Sequence, residues 1–435
     1  MNGQTKTIAE INAKLAAGEA IVMTAMELKA RVRGGEKLFV ADVDVVTTAT
    51  RGVMSGTAAM LSLPIGVENT KPEEVFINGV PCLPQFRTRD CFTPVLINGT
   101  EESMENHGNY GGGHVLRELV ERKPVEIFYK IGGKSVCTTA TIDDFPFARL
   151  YTTRNSFQNY MGFTNVKNAE SYRRNPTSIF SCRPIPPLKG MTSIGSGEMN
   201  PGENDHSRQI IRPGIRVLVN GTIGLIAGYG TRASAEQICL ATVADMKDMD
   251  PQYMGGFRTS YGVEITNSLA VAFPIINQVV LDNIMECRDE KIRHKIGDLS
   301  DRGKILTIPY SDLWHEAPLE VQFDPERCIC CSYQCEAEYY CPMNAISWKD
   351  KTIDQTLCVA CGACTGNCQG GAFMGKGWSP RRGLGDVHIF DQDIPIIFRQ
   401  SNRLRSERLA RVLKERLLDR SMYLVDTDTE CKLWN

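Results

Sequence analysis

The chain has 435 residues, enough for two or three domains, and an ordinary globular composition of 42% hydrophobic and 23% charged residues. A net charge of −2 gives no electrostatic ground for a nucleic-acid partner or a general membrane-surface affinity. The polar N-terminus lacks a signal-peptide core. The most apolar stretch, Leu269 to Leu281, contains Pro274, Asn277 and Gln278 and is too short and polar to span a bilayer. Sixteen cysteines without an export signal point to metal or redox chemistry in a reducing cytoplasm rather than to a disulfide framework.

Thr7 to Glu10 and Thr24 to Glu27 are capping boxes, each opening a helix, the first ending at Gly18 and the second near Gly34. A short strand over Ala20–Met23 lies between them, and Leu38–Val46 reads as a buried strand. This alternation predicts an α/β domain. The small and hydroxyl residues Thr47 to Thr57, with Thr50, Arg51 and Ser55, then read as a loop entering an apolar helix, where α/β folds hold anions. A tight turn with close packing is the alternative.

Asn78-Gly79 marks a hairpin, and Cys82 and Cys91 follow as buried thiols. Tyr110-Gly111-Gly112-Gly113-His114 leads into a helix over Val115–Arg122, a second candidate anion cradle or an ordinary turn. Val125–Tyr129 and Ser135–Thr141 form strands about Gly132-Gly133, placing Cys137 mid-strand, where a cysteine is usually core. Tyr151 to Asn204 reads as a long irregular segment, of the kind that forms lids and binding loops.

Asn220-Gly221 turns another hairpin, which runs into Gly230-Thr231-Arg232. The loops about Arg51, Tyr110 and Arg232 share one chemistry and could converge on a small anion. Gly262 to Leu281 predicts a strand and a helix, Glu286 to Asp301 a charged linker, and Leu306 to Pro309 a strand. At the C-terminus, Leu409, Val412, Leu413, Leu417 and Leu418 make one face of an amphipathic helix. Arg403, Arg405, Arg408, Arg411 and Arg416 read as its solvated side.

Nine of the cysteines fall between Cys328 and Cys368. Cys358, Cys361, Cys364 and Cys368 have the C-x2-C-x2-C-x3-C spacing of a ferredoxin-type run. Cys328, Cys331, Cys335 and Cys341-Pro342 repeat it with one extra residue before the third cysteine and two before the fourth. In tandem runs the fourth ligand crosses over. That predicts two [4Fe-4S] clusters, one on Cys328, Cys331, Cys335 and Cys368, the other on Cys358, Cys361, Cys364 and Cys341. Two zinc knuckles are the alternative, which eight thiolates in two four-cysteine runs fit less well. Cys330 competes with Cys331 as ligand.

The N-terminal capping boxes, Asp44 to Ser55, the Tyr110–His114 loop, Gly224 to Thr231 and Arg399-Gln400-Ser401 together resemble the archaeal and anaerobic-bacterial homocysteine biosynthesis family. The fused cluster segment is most similar to the branch called methanogenesis marker protein 16. The resemblance implies a sulfurtransferase that turns L-aspartate semialdehyde into homocysteine with ferredoxin electrons, or sulfoacetaldehyde into coenzyme M. It implies two functional cysteines, one matching Cys137 as sulfur carrier. The other falls at Ser55, where this chain departs from the pattern. It further implies substrate contacts from Thr50, Arg51, Tyr110, Gly112, Thr231 and Arg232, with His114 either protonating the carbonyl oxygen or packing to fix its loop.

The fold expected is therefore an α/β domain, a mixed sheet with hairpins, over residues 1–315. An inserted α+β ferredoxin-like 2[4Fe-4S] module occupies 316–377, and a tail with an amphipathic helix returns to the first domain over 378–435. The function expected is iron-sulfur-dependent reductive sulfur insertion into a small anionic aldehyde. Sulfide or a persulfide would supply the sulfur and an electron-donor protein the electrons; homo-oligomerisation is compatible with this. The rival from another class is a non-catalytic electron-transfer or maturation protein for a methanogenesis metalloenzyme. A nucleotide-dependent oxidoreductase ranks lower, because the first loop lacks the G-x-G-x-x-G order.

Overall fold

The computed structural model describes residues 5–65, 71–85, 92–155, 161–166, 177–235, 237–314, 320–375 and 384–426; Cys91 lies outside them. Local signals set the first elements. Thr7 caps the helix Ile8–Ala17, which Gly18 ends in the left-handed region. Thr24 caps the helix Ala25–Arg33 with a complete capping box. This second helix crosses between the parallel strands Val22–Thr24 and Val45–Val53.

From there the large sheet is antiparallel, ordered Val22–Thr24, Val45–Val53, Gly262–Pro274, Arg216–Val219, Thr222–Tyr229, Leu240–Asp245, Ala148–Asn155, Thr57–Leu63, Thr93–Asn98, Val80–Pro84, Glu74–Ile77, Val125–Ile131 and Lys134–Ala140. Gly255–Thr259 pairs on the side with Gly262–Thr266. Asn78-Gly79, Asn220-Gly221 and Gly132-Gly133 turn the hairpins with positive φ at both residues, the geometry that matches strand twist.

A second sheet of six strands runs Lys304–Pro309, Arg293–Asp298, Met161–Thr164, Met191–Ser193, Gln392–Arg399 and Asp386–Ile389. It contains the parallel pairs Met161–Thr164 with Lys295–Asp298 and Met191–Ser193 with Ile396–Arg399. The fold is thus a mixed α/β architecture of two large mixed sheets. Segments expected to be irregular supply three of its strands, Met161–Thr164, Met191–Ser193 and Arg293–Asp298.

The chain after the cysteine segment packs back on the body. The helix Arg403–Leu418 buries Leu409, Ala410, Leu413 and Leu417 against the large sheet and the N-terminal helix. Its arginines do not form one solvated face. Arg403 and Arg405 are buried, and Arg403 bonds Asp289 at 2.6 Å beside Glu198, which also binds Arg33 at 2.6 Å. This buried network draws in Lys29, whose ammonium donates to the Glu198 carbonyl and to Asn204. Among the described residues no helix is long and apolar enough to cross a membrane.

Residues 320–375 form a small unit with an internal repeat wider than the cysteines. Val321–Phe323 pairs with Phe373–Gly375, and Ile346–Ser347 with Thr352–Ile353. Asp324 and Asp354 each stand four residues before a first cysteine; their N–H groups donate to Ala372 (2.8 Å) and Ala345 (2.7 Å). Ala345 and Ala372 in turn donate to the sulfurs of Cys341 and Cys368, both at 3.3 Å. Cys330 and Ala360 share the left-handed position between the first two cysteines of each run. The short helix Glu336–Tyr339 lies between Cys335 and Cys341, where the first run has two of its extra residues.

Candidate functional site: two cysteine cavities and a cationic cleft

The repeat encloses two cavities. One is lined by Cys328, Cys331, Cys335 and Cys368 with Phe323, Trp348 and Phe373. The other is lined by Cys341, Cys358, Cys361 and Cys364 with Val321, Met343 and Ile353. Each set combines three cysteines of one run with the fourth of the other. Cys330 lines neither and is exposed, whereas Ala360 at the matching left-handed position of the second run is buried. Among the described residues no group of three or more histidine, cysteine, aspartate or glutamate side chains is gathered tightly enough to hold a single metal ion. The sulfurs stand around the cavities instead.

The Cys341 cavity is the inner one. Arg258 donates to the carbonyls of Cys341 (2.7 Å) and Tyr339 (2.8 Å), Arg405 to those of Gln355 (2.6 Å) and Cys358 (3.1 Å), and the Arg399 N–H to that of Cys361 (2.8 Å). The body of the protein therefore grips the cysteine loops by their backbone. Burial pushes the Cys358 thiol up to about 11 and those of Cys361 and Cys364 further, each helped by the neighbouring sulfurs.

A cleft of about 360 Å³ opens between the two sheets. Val53, Ser55, Arg154, Arg232, Gln237 and Glu264 come from the large sheet and its turns; Met161, Phe163, Lys295 and Arg302 come from the smaller sheet, with Ile179 and Phe180 beside it. Four cations thus face one carboxylate. Among the described residues none of the four makes an ion pair with a carboxylate; Arg154 donates to the Thr231 hydroxyl at 3.0 Å and Arg302 lies over the Phe180 ring. Glu264 is 5% exposed, and its Oε2 has no hydrogen-bond partner among the described residues. Burial raises its carboxyl to about 7, against the opposing pull of the Ser55 hydroxyl and Arg154. That places its proton exchange near neutrality.

The cleft lies close to the inner cavity. Val53, which lines the cleft, packs on the apolar cluster that holds the cysteines of both cavities, and Cys182, two residues beyond Phe180, is near enough to Cys341 and Cys361 for their charges to act on one another. Burial holds the Cys182 thiol up at about 12.

Of the residues singled out in the sequence, Ser55 and Arg232 line the cleft and Thr231 orients Arg154 there. Thr50 and Arg51 do not belong to an anion-binding loop, because the strand begins at Val45 and runs through Val53. The β-branched run favours extended backbone. Its hydroxyls serve distant partners: Thr47 the Ala410 carbonyl, Thr48 the Met199 carbonyl and Thr50 the Ser196 hydroxyl. No helix follows; Thr57–Leu63 is the next strand.

The second cradle is filled as well. The helix begins at Gly112, whose N–H donates to the Glu101 carbonyl, and the Gly113 N–H donates to that of Gly99, both at 2.8 Å. The glycines are required by contact, since a Cβ on Gly112 would stand 1.9 Å from the Asn98 oxygen. Tyr110 donates to Glu118 at 2.6 Å, and His114 stacks on the Tyr110 ring, its pKa lowered to about 4 by burial and by Arg258. A neutral buried imidazole is no ready acid at pH 7. Neither residue lines the cleft.

Cys137 is exposed on the far edge strand, five strands from Thr57–Leu63 in the sheet order. Its thiol is raised by desolvation and by Glu126 rather than activated. The cleft residues missed in the sequence were Arg154, Glu264, Lys295 and Arg302. Glu264 alone left a signal, a single acid in the apolar run Gly262–Phe273.

Residues 20–424 match the family described as homocysteine biosynthesis enzyme, sulfur-incorporation, and the chain belongs to that family. It is 37% identical to an uncharacterized protein of Methanothermobacter thermautotrophicus over 94% of this chain and 92% of that one. It is 34% identical to an uncharacterized protein of Methanocaldococcus jannaschii over 92% of this chain and 97% of that one. It is 28% identical to the L-aspartate semialdehyde sulfurtransferase of Methanocaldococcus jannaschii, over 71% of this chain but 62% of that enzyme. No solved structure matches.

Proposed function

We propose that the chain performs reductive sulfur insertion into a small anionic aldehyde, giving a thiol, with two [4Fe-4S] clusters in the same chain. The observation that carries this is the closeness of a cationic cleft to a four-cysteine cavity, with Cys182 between the Phe180 side of the one and Cys341 and Cys361 of the other. The residues fit the clusters: each cavity has four thiols from a crossed pair of runs, an apolar lining and a backbone N–H on at least one sulfur. When bound, the clusters pass electrons one at a time from a donor protein.

The reaction balances as follows: one aldehyde, one hydrogen sulfide, two electrons and two protons give one thiol and one water. Sulfide adds to the carbonyl carbon, the hydroxyl leaves as water, and the resulting thioaldehyde accepts two electrons and two protons. Glu264, holding its proton near neutrality, protonates the departing hydroxyl, and its Oε2 is free to do so. Arg154, Arg232, Lys295 and Arg302 hold the substrate anion; planar guanidinium suits sulfonate and carboxylate alike. With Ser55 in place of a thiol and Cys137 exposed and unactivated, sulfide brings the sulfur, or an external persulfide does so with two further electrons and two further protons that release it as sulfide.

Of the two aldehydes, the cleft charge favours sulfoacetaldehyde, giving coenzyme M, over L-aspartate semialdehyde, giving homocysteine. An amino acid brings an ammonium group into a site with four cations and one carboxylate, and Glu264 is then needed twice. The test is an anaerobic incubation of reduced, cluster-loaded protein with sulfide and each aldehyde. We expect the sulfonated thiol; homocysteine instead would reverse the substrate choice, and no thiol from either would overturn the function.

A further inference from the structure

Arg51 is, with Arg399, one of the two largest fully buried side chains among the described residues, 1% exposed, and all three of its guanidinium nitrogens lack a hydrogen-bond partner among those residues. Guanidinium does not shed its proton in proteins, so this is a buried positive charge needing a counter-charge. The groups that act on it most are Arg405 and Arg117, which repel it, and Cys358 and Tyr253; none is a carboxylate. Arg117 is satisfied by Glu121 at 2.7 Å and by the Met254 carbonyl. Arg405 is satisfied by the carbonyls of Gln252, Gln355 and Cys358. Of these three only Arg51 has no hydrogen bond from any guanidinium nitrogen among the described residues; it stands on the strand and the face of Val53, near enough to Cys358 of the inner cavity for the two to act on each other.

We propose that Arg51 is the built-in counter-charge of the inner iron-sulfur cluster. A cubane held by four thiolates carries about −2, and about −3 once reduced. A cation fixed beside it in a low-dielectric interior stabilises the reduced form more than the oxidised one and raises the potential. The strand that delivers Val53 to the cleft thus also delivers the charge that sets how readily the cluster next to the cleft is reduced. This inference rests on the reading of Cys341, Cys358, Cys361 and Cys364 as cluster ligands.

The experiment is a redox titration of the cluster-loaded full-length protein, followed by electron paramagnetic resonance, on wild type, Arg51→Met and Arg51→Lys. Arg51→Met should lower the ratio of reduced to oxidised inner cluster about tenfold at fixed poise, a shift of about 59 mV for one electron, and leave the outer cluster unchanged. Arg51→Lys should keep most of the wild-type potential. Thermal unfolding of the cluster-free proteins gives a second readout: without the counter-charge present, Arg51→Met should be at least as stable as wild type. An inner potential unchanged in Arg51→Met, with both clusters retained, would overturn the role, as would a cluster-free Arg51→Met clearly less stable than wild type. Wild-type protein that binds no inner cluster would instead overturn the underlying reading.

Discussion

The two cysteine cavities come from one repeated sequence, yet they occupy opposite environments. The Cys341 cavity is gripped by arginines from the body and lies close to the cleft, and three of its four thiols, Cys341, Cys361 and Cys364, are buried. The Cys328 cavity sits outward: Cys328, Cys331 and Cys368 are half-buried, and Ile329 and Tyr333 beside them are exposed, Tyr333 completely. In the proposed function the outward cavity is the electron inlet and the one gripped by the body is the outlet.

The sharpest way to break this comparison is to remove one ligand from each cavity. Cys361→Ser should lower thiol formation at least a hundredfold with any reductant. Cys335→Ser should lower it as far with a protein electron donor but retain a substantial part with a small chemical reductant that reaches the inner cluster directly. Equal losses with both reductants in both variants would remove the inlet and outlet distinction.

Glu264→Gln comes next, with an expected loss of roughly 10²-fold in kcat, the usual span of positioned acid catalysis. In wild type the rate should fall as the pH rises through about 7, and the variant should lose that limb. The same group fixes a stability trend. The folded state holds this proton more tightly than the unfolded chain, so the contribution favours the fold at low pH and is lost as pH climbs from the ordinary carboxylate range toward 7. Glu264→Gln should therefore raise the melting temperature relative to wild type above pH 7, with the difference closing in acid.

Arg232→Gln should raise KM about tenfold for the sulfonated aldehyde with a smaller change in kcat, since it removes one of four cations that hold the ground-state anion. The smallest effects belong to thiols outside both cavities. Cys330→Ala should keep both clusters, and Cys137→Ala should keep activity within about twofold. Loss of iron in the first would show that Cys330 ligates after all; loss of turnover in the second would restore the carrier role.

Much of the fold was legible where the signals are local. Capping boxes at Thr7 and Thr24 and the Asn-Gly turns at 78 and 220 specify their elements within a few residues. The run Thr47 to Gly56 misled because hydroxyl-rich sequence looks like a loop when its partners, Ala410, Met199 and Ser196, lie far along the chain. Arg403 and Arg405 read as solvated for the same reason, their partners being Asp289, Glu198 and the cysteine-loop carbonyls. Cysteine spacing was readable as a pair of runs, and the wider repeat through Asp324 and Asp354 could have been found by sliding one run on the other. The cleft was not readable, because Arg154, Glu264, Lys295 and Arg302 meet only when two sheets pack face to face.

The most direct test of the central claim counts electrons. Protein reduced to two electrons per chain, freed of excess reductant and mixed anaerobically with sulfide and sulfoacetaldehyde, should reoxidise both clusters and release one thiol per two electrons. Thiol formed while the clusters stay reduced, or reoxidation without thiol, would contradict the account.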